Sequence, residues 1–355
     1  MDKWLNRFQF LAGLGIALTL LVLLLGVATR LMDAGLGCPD WPGCYGKILV
    51  PSAEHAAQVS LQPLEPVKAW MEMVHRYAAS SLGLLAIVLV VLSWRLRALA
   101  CPLFKASLSL LALIILQGLF GMWTVTLKLW PVVVTLHLLG GLSCLLGFSL
   151  VYWLARRQTL EDAMEDEADT AEQPRRHNPL FWIALLALVA QISLGGWTSS
   201  NYAGVGCVGF PTCNGEWWPQ ADFAQGFHLG QQIGPDYLHG QLDAVARTSI
   251  HLSHRLGALI LGLVIVALWW QQRTAPVSIR RFSDWLLLLY GLQIVVAVVM
   301  IALALPLVIA LLHTLMAALL LLTLVQGGVR GMVWRPAAQP MNAAGRTTHG
   351  DAYGH

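Results

Sequence analysis

Charge is scarce in this chain. Asp, Glu, Lys and Arg supply 12% of its 355 residues, while hydrophobic residues supply 57%. An ordinary soluble domain carries about 25% charge, so a solvated globular enzyme is excluded and an integral membrane protein is expected. Cysteine is sparse too, with six residues and no Cys-x-x-Cys among them, so the usual signature of a thiol oxidoreductase is missing. No cluster of Cys, His and carboxylates falls at membrane depth, as a four-ligand zinc site would want. No apolar segment is interrupted near its middle in the manner of a transporter's substrate site. A cleaved leader is not expected either. The apolar run from Phe8 to Thr29 outlasts the roughly 7–15 residues of a signal core, and it reads as a retained first span.

Apolar segments abound instead. A span needs roughly 20 apolar residues to cross about 30 Å of hydrocarbon. Eight segments qualify, at about 8–29, 75–94, 106–127, 132–154, 179–198, 251–270, 283–304 and 306–326. The N-terminus, the loops with Arg95/Arg97/Lys105, Arg156/Arg157/Arg175/Arg176 and Arg273/Arg280/Arg281, and the tail with Arg330, Arg335 and Arg346 share one side. That side collects 15 of the 22 basic residues, so the positive-inside rule makes both termini cytoplasmic. The long loops at about 30–74 and 199–250 are then extracytoplasmic. The expected organisation is all-α: 1–158 and 179–328 as tandem four-helix bundles, 159–178 as an acidic cytoplasmic linker, and 329–355 as a cytoplasmic tail.

The two halves repeat residue by residue. Gly26, Thr29, Ala34-Gly35, Gly37-Cys38, Pro42, Cys44 and Gly46 recur at one offset as Gly195, Thr198, Ala203-Gly204, Gly206-Cys207, Pro211, Cys213 and Gly215. His75-Arg76 recurs as His254-Arg255, and Gln117/His137 recurs as Gln293/His313 with the same spacing. An even number of spans per repeat sets the two bundles in parallel orientation.

Each bundle thus carries a histidine pair. His75 and His254 open helices entering from outside, and His137 and His313 lie about two turns into helices that also enter from outside. Two facing imidazoles inside a four-helix bundle suit the axial positions of a haem iron. A single histidine in an apolar helix is ordinarily a packed residue, but two pairs at matching repeat positions favour ligands. Arg76 and Arg255 are candidates for haem propionates, with snorkelling to lipid phosphates as the alternative. Glu72 breaks the symmetry: it precedes His75 by three residues, whereas the matching position before His254 holds His251. A carboxylate there could serve proton transfer or simply complement a helix N-terminus; the first reading is preferred, and the role of His251 is left open. Cys38/Cys44 and Cys207/Cys213 share one spacing in the outer loops, where disulfides form. A structural staple is the preferred reading for the second pair; for the first, staple and thiol exchange stand level.

With these residues in hand, the chain resembles the haem A synthase family of cytochrome oxidase assembly, over nearly its whole length. The resemblance rests on the run Gly26–Gly46, the Glu-Met-Val-His-Arg of Glu72–Arg76, and the four histidines. It implies oxidation of the C8 methyl of haem O to the formyl group of haem A, a four-electron change that fits two hydroxylations and loss of water. It implies substrate haem between His75 and His137, haem b between His254 and His313, and Glu72 as the catalytic carboxylate. The cysteine pairs resemble the bacterial branch, which implies the inner membrane. Implied partners are haem O, the protohaem farnesyltransferase that makes it, an electron donor and acceptor, membrane lipid and, as an option, a second copy of the chain; nucleic acid is not among them. The rival reading is a dihaem b-type electron-transfer cytochrome, which accounts for the histidines but gives Glu72 no task.

Overall fold

The computed structural model describes residues 2–95, 97, 100–164 and 178–329; most of the expected linker (165–177) and of the tail (330–355) lies outside them. Among the described residues ten α-helices follow in order: α1 (Asp2–Leu31), α2 (Ala53–Val59), α3 (Pro66–Arg95), α4 (Cys101–Thr126), α5 (Pro131–Met164), α6 (Pro179–Ser200), α7 (Phe223–Gly226), α8 (Ala244–Gln272), α9 (Val277–Ala302) and α10 (Leu307–Val329). Eight of these are long and apolar enough to cross a membrane; α2 and α7 are short loop helices. Among the described residues there is no strand. Two isolated bridges, Cys44 with Lys47 and Cys213 with Glu216, close the cysteine turns at matching repeat positions.

Local chemistry sets the helix starts. Pro66, Pro131 and Pro179 stand at first helical positions, where the missing N–H costs nothing. Asn178 caps α6 by accepting from the Leu180 N–H at 3.0 Å, and Asp243 caps α8 by accepting from Ala246 at 2.8 Å. Outward positions are apolar and uncovered: Phe10, Leu186 and Val308 are each more than 70% exposed. This is what a lipid-facing surface requires, since hydrocarbon solvates such side chains as well as protein does.

The helices close into two rings. In the first, α1 packs on α3, α3 on α4, α4 on α5 and α5 on α1; in the second, α6, α8, α9 and α10 follow the same order. Between the rings, α1 meets α10 and α5 meets α6, while α5 also touches α10. The first two contacts are one contact seen twice, so a pseudo-twofold relates the halves. The apolar core between them includes Leu23, Leu142 and Leu145 of the first ring with Phe181, Leu188, Leu320 and Leu324 of the second.

Three boundaries differ from the sequence-based expectation. α3 and α8 begin well before residues 75 and 251, so His75 and His254 do not open their helices. His75 lies nine residues past Pro66 and His254 ten past Ala244, which is about 13–15 Å along the axis. The added turns contain Lys68, Trp70 and Glu72, polar enough to read as loop. They are helical because Ala69, Glu72 and Met73 are buried, and Ala69 and Met73 pack against the first cysteine turn. At the other end of the first bundle, α5 runs to Met164, taking up the first residues of the expected linker.

The outer loops are packed structures. The first buries Tyr45 and Ala56 with the disulfide and the start of α3. The second crosses to the other bundle: the Tyr237 N–H donates to the Lys128 carbonyl at 3.0 Å, and Trp130 Nε1 donates to the Leu229 carbonyl at 3.3 Å. Burial pushes the Tyr237 hydroxyl up to about 12, so it stays a neutral donor to Asn201 Oδ1 at 2.9 Å.

Candidate functional site

His75 on α3 and His137 on α5 face one another across the first ring, with ring centroids 6.5 Å apart and planes at 83°. Two metal–imidazole bonds of about 2 Å each, plus the inner halves of the rings, span such a gap. Both Nδ1 atoms are buried without a hydrogen-bond partner. The His75 ring lies against Gly26 of α1, where a Cβ would stand 2.9 Å from it; in the second ring, Gly195 leaves the matching space for His254, at 3.2 Å. The pair lines a cavity of about 690 Å³ shared with Glu72, Arg76, Arg30 and Gln117. Among the described residues, no three His, Cys, Asp or Glu side chains converge. The donor set is therefore a facing pair of imidazoles in an apolar chamber, which fits a haem held on both faces.

The second ring repeats the plan with different supports. The Gln191 amide of α6 stands 3.1 Å from His254 Nδ1 and donates to the His254 carbonyl at 3.0 Å. Its counterpart at the offset of the Gly26 run is Val22, which cannot support His75 in this way. The Gln293 amide nitrogen lies against the His313 ring, 3.1 Å from Nδ1 and 3.3 Å from Nε2, whereas its counterpart Gln117 reaches past the ring to the His137 carbonyl at 2.5 Å. The histidines of the second ring are thus braced by side-chain amides, and those of the first are not.

Glu72 is only 4% exposed. One carboxylate oxygen accepts the Cys38 N–H at 2.9 Å and the other pairs with Arg76. The carboxylate therefore ties α3 to the cysteine turn while bordering the cavity. At the matching place His251 sets its Nδ1 3.3 Å from the Cys207 nitrogen and 3.0 Å from the Ala203 carbonyl. The role left open for His251 is at least structural: it holds the second turn where Glu72 holds the first.

Arg76 and Arg255 do in the structure what the sequence did not suggest. Arg76 donates to the carbonyls of Asp40, Pro42 and Gly43, and Arg255 to those of Cys207, Gly209 and Thr212. Both guanidinium groups clamp the cysteine loop onto the histidine-bearing helix. The loops carry disulfides Cys38–Cys44 and Cys207–Cys213, with Cα atoms 4.8 and 4.7 Å apart. All four cysteines are buried, so a partner thiol could reach them only after the loop is displaced.

Arg30 was not singled out by sequence. It lines the cavity at the end of α1, donates to the Ser199 carbonyl at 2.7 Å, and lies 3.8 Å over the Tyr202 ring, whose hydroxyl donates to Asp33 at 2.7 Å. At the offset of the cysteine run, Ser199 is the counterpart of Arg30 and Tyr202 that of Asp33. Equivalent positions of the halves therefore meet here, with a cation on one side alone. The available signal was that mismatch within an otherwise matching run.

Comparison with known proteins is consistent across the chain. A family model described as cytochrome oxidase assembly protein matches residues 9–325. The heme A synthase of Shewanella oneidensis is 42% identical over 324 residues, covering 90% of this chain and 95% of that protein. The heme A synthase of Shouchella clausii is 29% identical over 284 residues, 78% of this chain and 79% of its own. That of Symbiobacterium thermophilum is 27% identical over 283 residues, 78% and 80%.

Proposed function

The chain belongs to the haem A synthase family of cytochrome oxidase assembly proteins, and on that premise we propose how its two bundles divide the work. It is a multi-pass membrane enzyme that oxidises haem O to haem A. In our reading the first bundle (1–158) is catalytic, and His75 and His137 hold the substrate by its iron. The second (179–328) holds a haem b between His254 and His313 as an electron relay. When bound, the haems supply the iron redox chemistry, which is the cofactor's own. What the chain supplies is position, a dry apolar chamber and a placed carboxylate.

The observation that carries this division is Glu72. The Cys38 and Gly37 amides and Arg76 hold it, and it borders the cavity containing the histidine pair that no side-chain amide stands against. A buried, fixed carboxylate can take and return a proton as the substrate methyl is oxidised. The second bundle has His251 there, and braces on its histidines instead. That contrast suits a site that exchanges its haem beside one that keeps it. Co-producing the chain with a protohaem farnesyltransferase in a host without haem A tests the activity: haem A in the extracted pigment is expected, and haem O alone would contradict it.

Two supporting assignments follow. We assign the propionate contacts of the substrate to Arg30 together with Arg76, the two arginines that line the cavity; Arg30 also pairs with Asp33 and donates to the Ser199 and Ser200 carbonyls. A hydrogen bond to a charged group is worth about 1.5–3 kcal/mol, so Arg30→Leu should weaken haem O binding at least tenfold, read by titrating the Soret band. Gln191 positions His254 by donating to its backbone carbonyl at 3.0 Å while packing beside the ring, so its loss loosens the ligand. Gln191→Leu should accordingly release haem b on dilution while haem O binding holds. We place the protein in the bacterial inner membrane with both termini cytoplasmic, the orientation its basic loops favour, and take the farnesyltransferase as the supplier of its substrate.

A further inference from the structure

The cavity of the first bundle does not end at the histidines. Its lining continues along α3 through Ala79, Ser80 and Gly83, and along α4 through Ile114, Ile115 and Gly118. Ser80, Ile115 and Gly118 are themselves exposed, so the chamber opens between α3 and α4 onto the lipid-facing surface. Gly83 lies eight residues beyond His75, about 12 Å further along the helix. The opening is therefore a slot running from the depth of the imidazoles toward the middle of the membrane. A Cβ on Gly118 would meet no atom within 4 Å, and one on Gly83 would only touch Ile114, at 3.9 Å. Neither glycine is used for helix packing.

The second bundle closes the same place. At the offset relating His137 to His313, Ile114 becomes Tyr290 and Gly118 becomes Ile294; at the offset relating His75 to His254, Ala79 and Gly83 become Ala258 and Gly262. Tyr290 fills the crevice between α8 and α9. Its hydroxyl donates to the Ala258 carbonyl at 2.5 Å and stands 2.7 Å from where a Gly262 Cβ would lie. One repeat thus has a plug where the other has a slot.

We propose that the slot between α3 and α4 binds the isoprenoid tail of the substrate haem, and that Ile114 and Gly118 keep it open where Tyr290 and Ile294 shut its counterpart. The inference rests on the first bundle being the substrate site. It adds what separates substrate from resident cofactor: haem O carries a farnesyl-derived tail and haem b carries none. An apolar chain leaving the chamber into an apolar slot loses no hydrogen bond, and a slot open to lipid lets substrate and product pass sideways without unfolding the bundle.

The test transplants the plug. Gly118→Ile and Ile114→Tyr are purified from a host making no farnesylated haem, and each is titrated with haem O and with haem b while the Soret band is followed. Gly118→Ile sets its Cβ where nothing stands within 4 Å, so the branch point itself meets no neighbour. A methylene or two of steric block in an apolar pocket is worth about tenfold or more. Haem O affinity should therefore fall at least that far in both variants, with haem b binding to the His75–His137 site unchanged. Equal weakening of both haems, or of neither, overturns the proposal. His75→Ala serves as the control: if it weakens neither haem, the assignment of the substrate site itself fails.

Discussion

Replacing Glu72 by Gln is expected to abolish haem A formation and leave both haems bound. The amide has nearly the carboxylate's shape and still offers an oxygen to the Cys38 N–H, which Glu72 accepts at 2.9 Å. What disappears is the charge and the capacity to take a proton. General acid–base groups contribute about 10²–10⁴-fold to rate, so turnover of haem O should drop at least a hundredfold while the extracted pigment still contains haem O and haem b. Glu72→Ala should do more, because it also strips Arg76 of its anion in a partly buried setting. Breaking a buried pair by removing one partner costs about 3–5 kcal/mol, here an upper bound because Arg76 keeps its loop carbonyls. Comparing the two variants by haem content and thermal unfolding separates proton transfer from loop anchoring. Wild-type haem A yield from Glu72→Gln would leave Glu72 a structural residue and pass the proton transfer to another group.

The second large effect is separability of the pockets. His75→Ala should remove the farnesylated haem and spare haem b, and His254→Ala should do the reverse, each halving total haem. The basis is architectural: each ring closes on itself, and each histidine pair draws on helices of its own ring only. The halves still communicate at the junction of Arg30, Asp33, Ser199 and Tyr202. His254→Ala should for that reason retain haem O yet make little haem A, a failure of electron supply with the substrate in place. Reduced-minus-oxidised spectra together with haem extraction distinguish these outcomes. Loss of both haems from either variant would mean one shared site.

Much of this was legible in sequence because it is local or repeated. Spans follow from apolar length, and the histidine pairs and cysteine turns follow from one register carried twice. Glu72 stood out because a near-exact repeat turns a single mismatch into information. The starts of α3 and α8 were not legible: Lys68, Trp70 and Glu72 look like loop until a folded loop is there to bury the helix face they share. The loop contacts of the arginines following the histidines were not legible for a related reason. A guanidinium beside a candidate haem suggests carboxylates, and only the folded cysteine loop shows carbonyls converging on it. Gln191 and Tyr290 answer to groups on other helices, so no periodicity within their own segments marks them. Their counterparts Val22 and Ile114 do mark them once the halves are laid over one another.

The central claim is that two similar bundles hold two chemically different haems, one as substrate and one as cofactor. Extracting the haems from the purified protein, made together with the farnesyltransferase, and identifying them by mass tests this most directly. Haem b accompanied by haem O or haem A is the predicted result. Haem b alone, filling both histidine pairs, would contradict it.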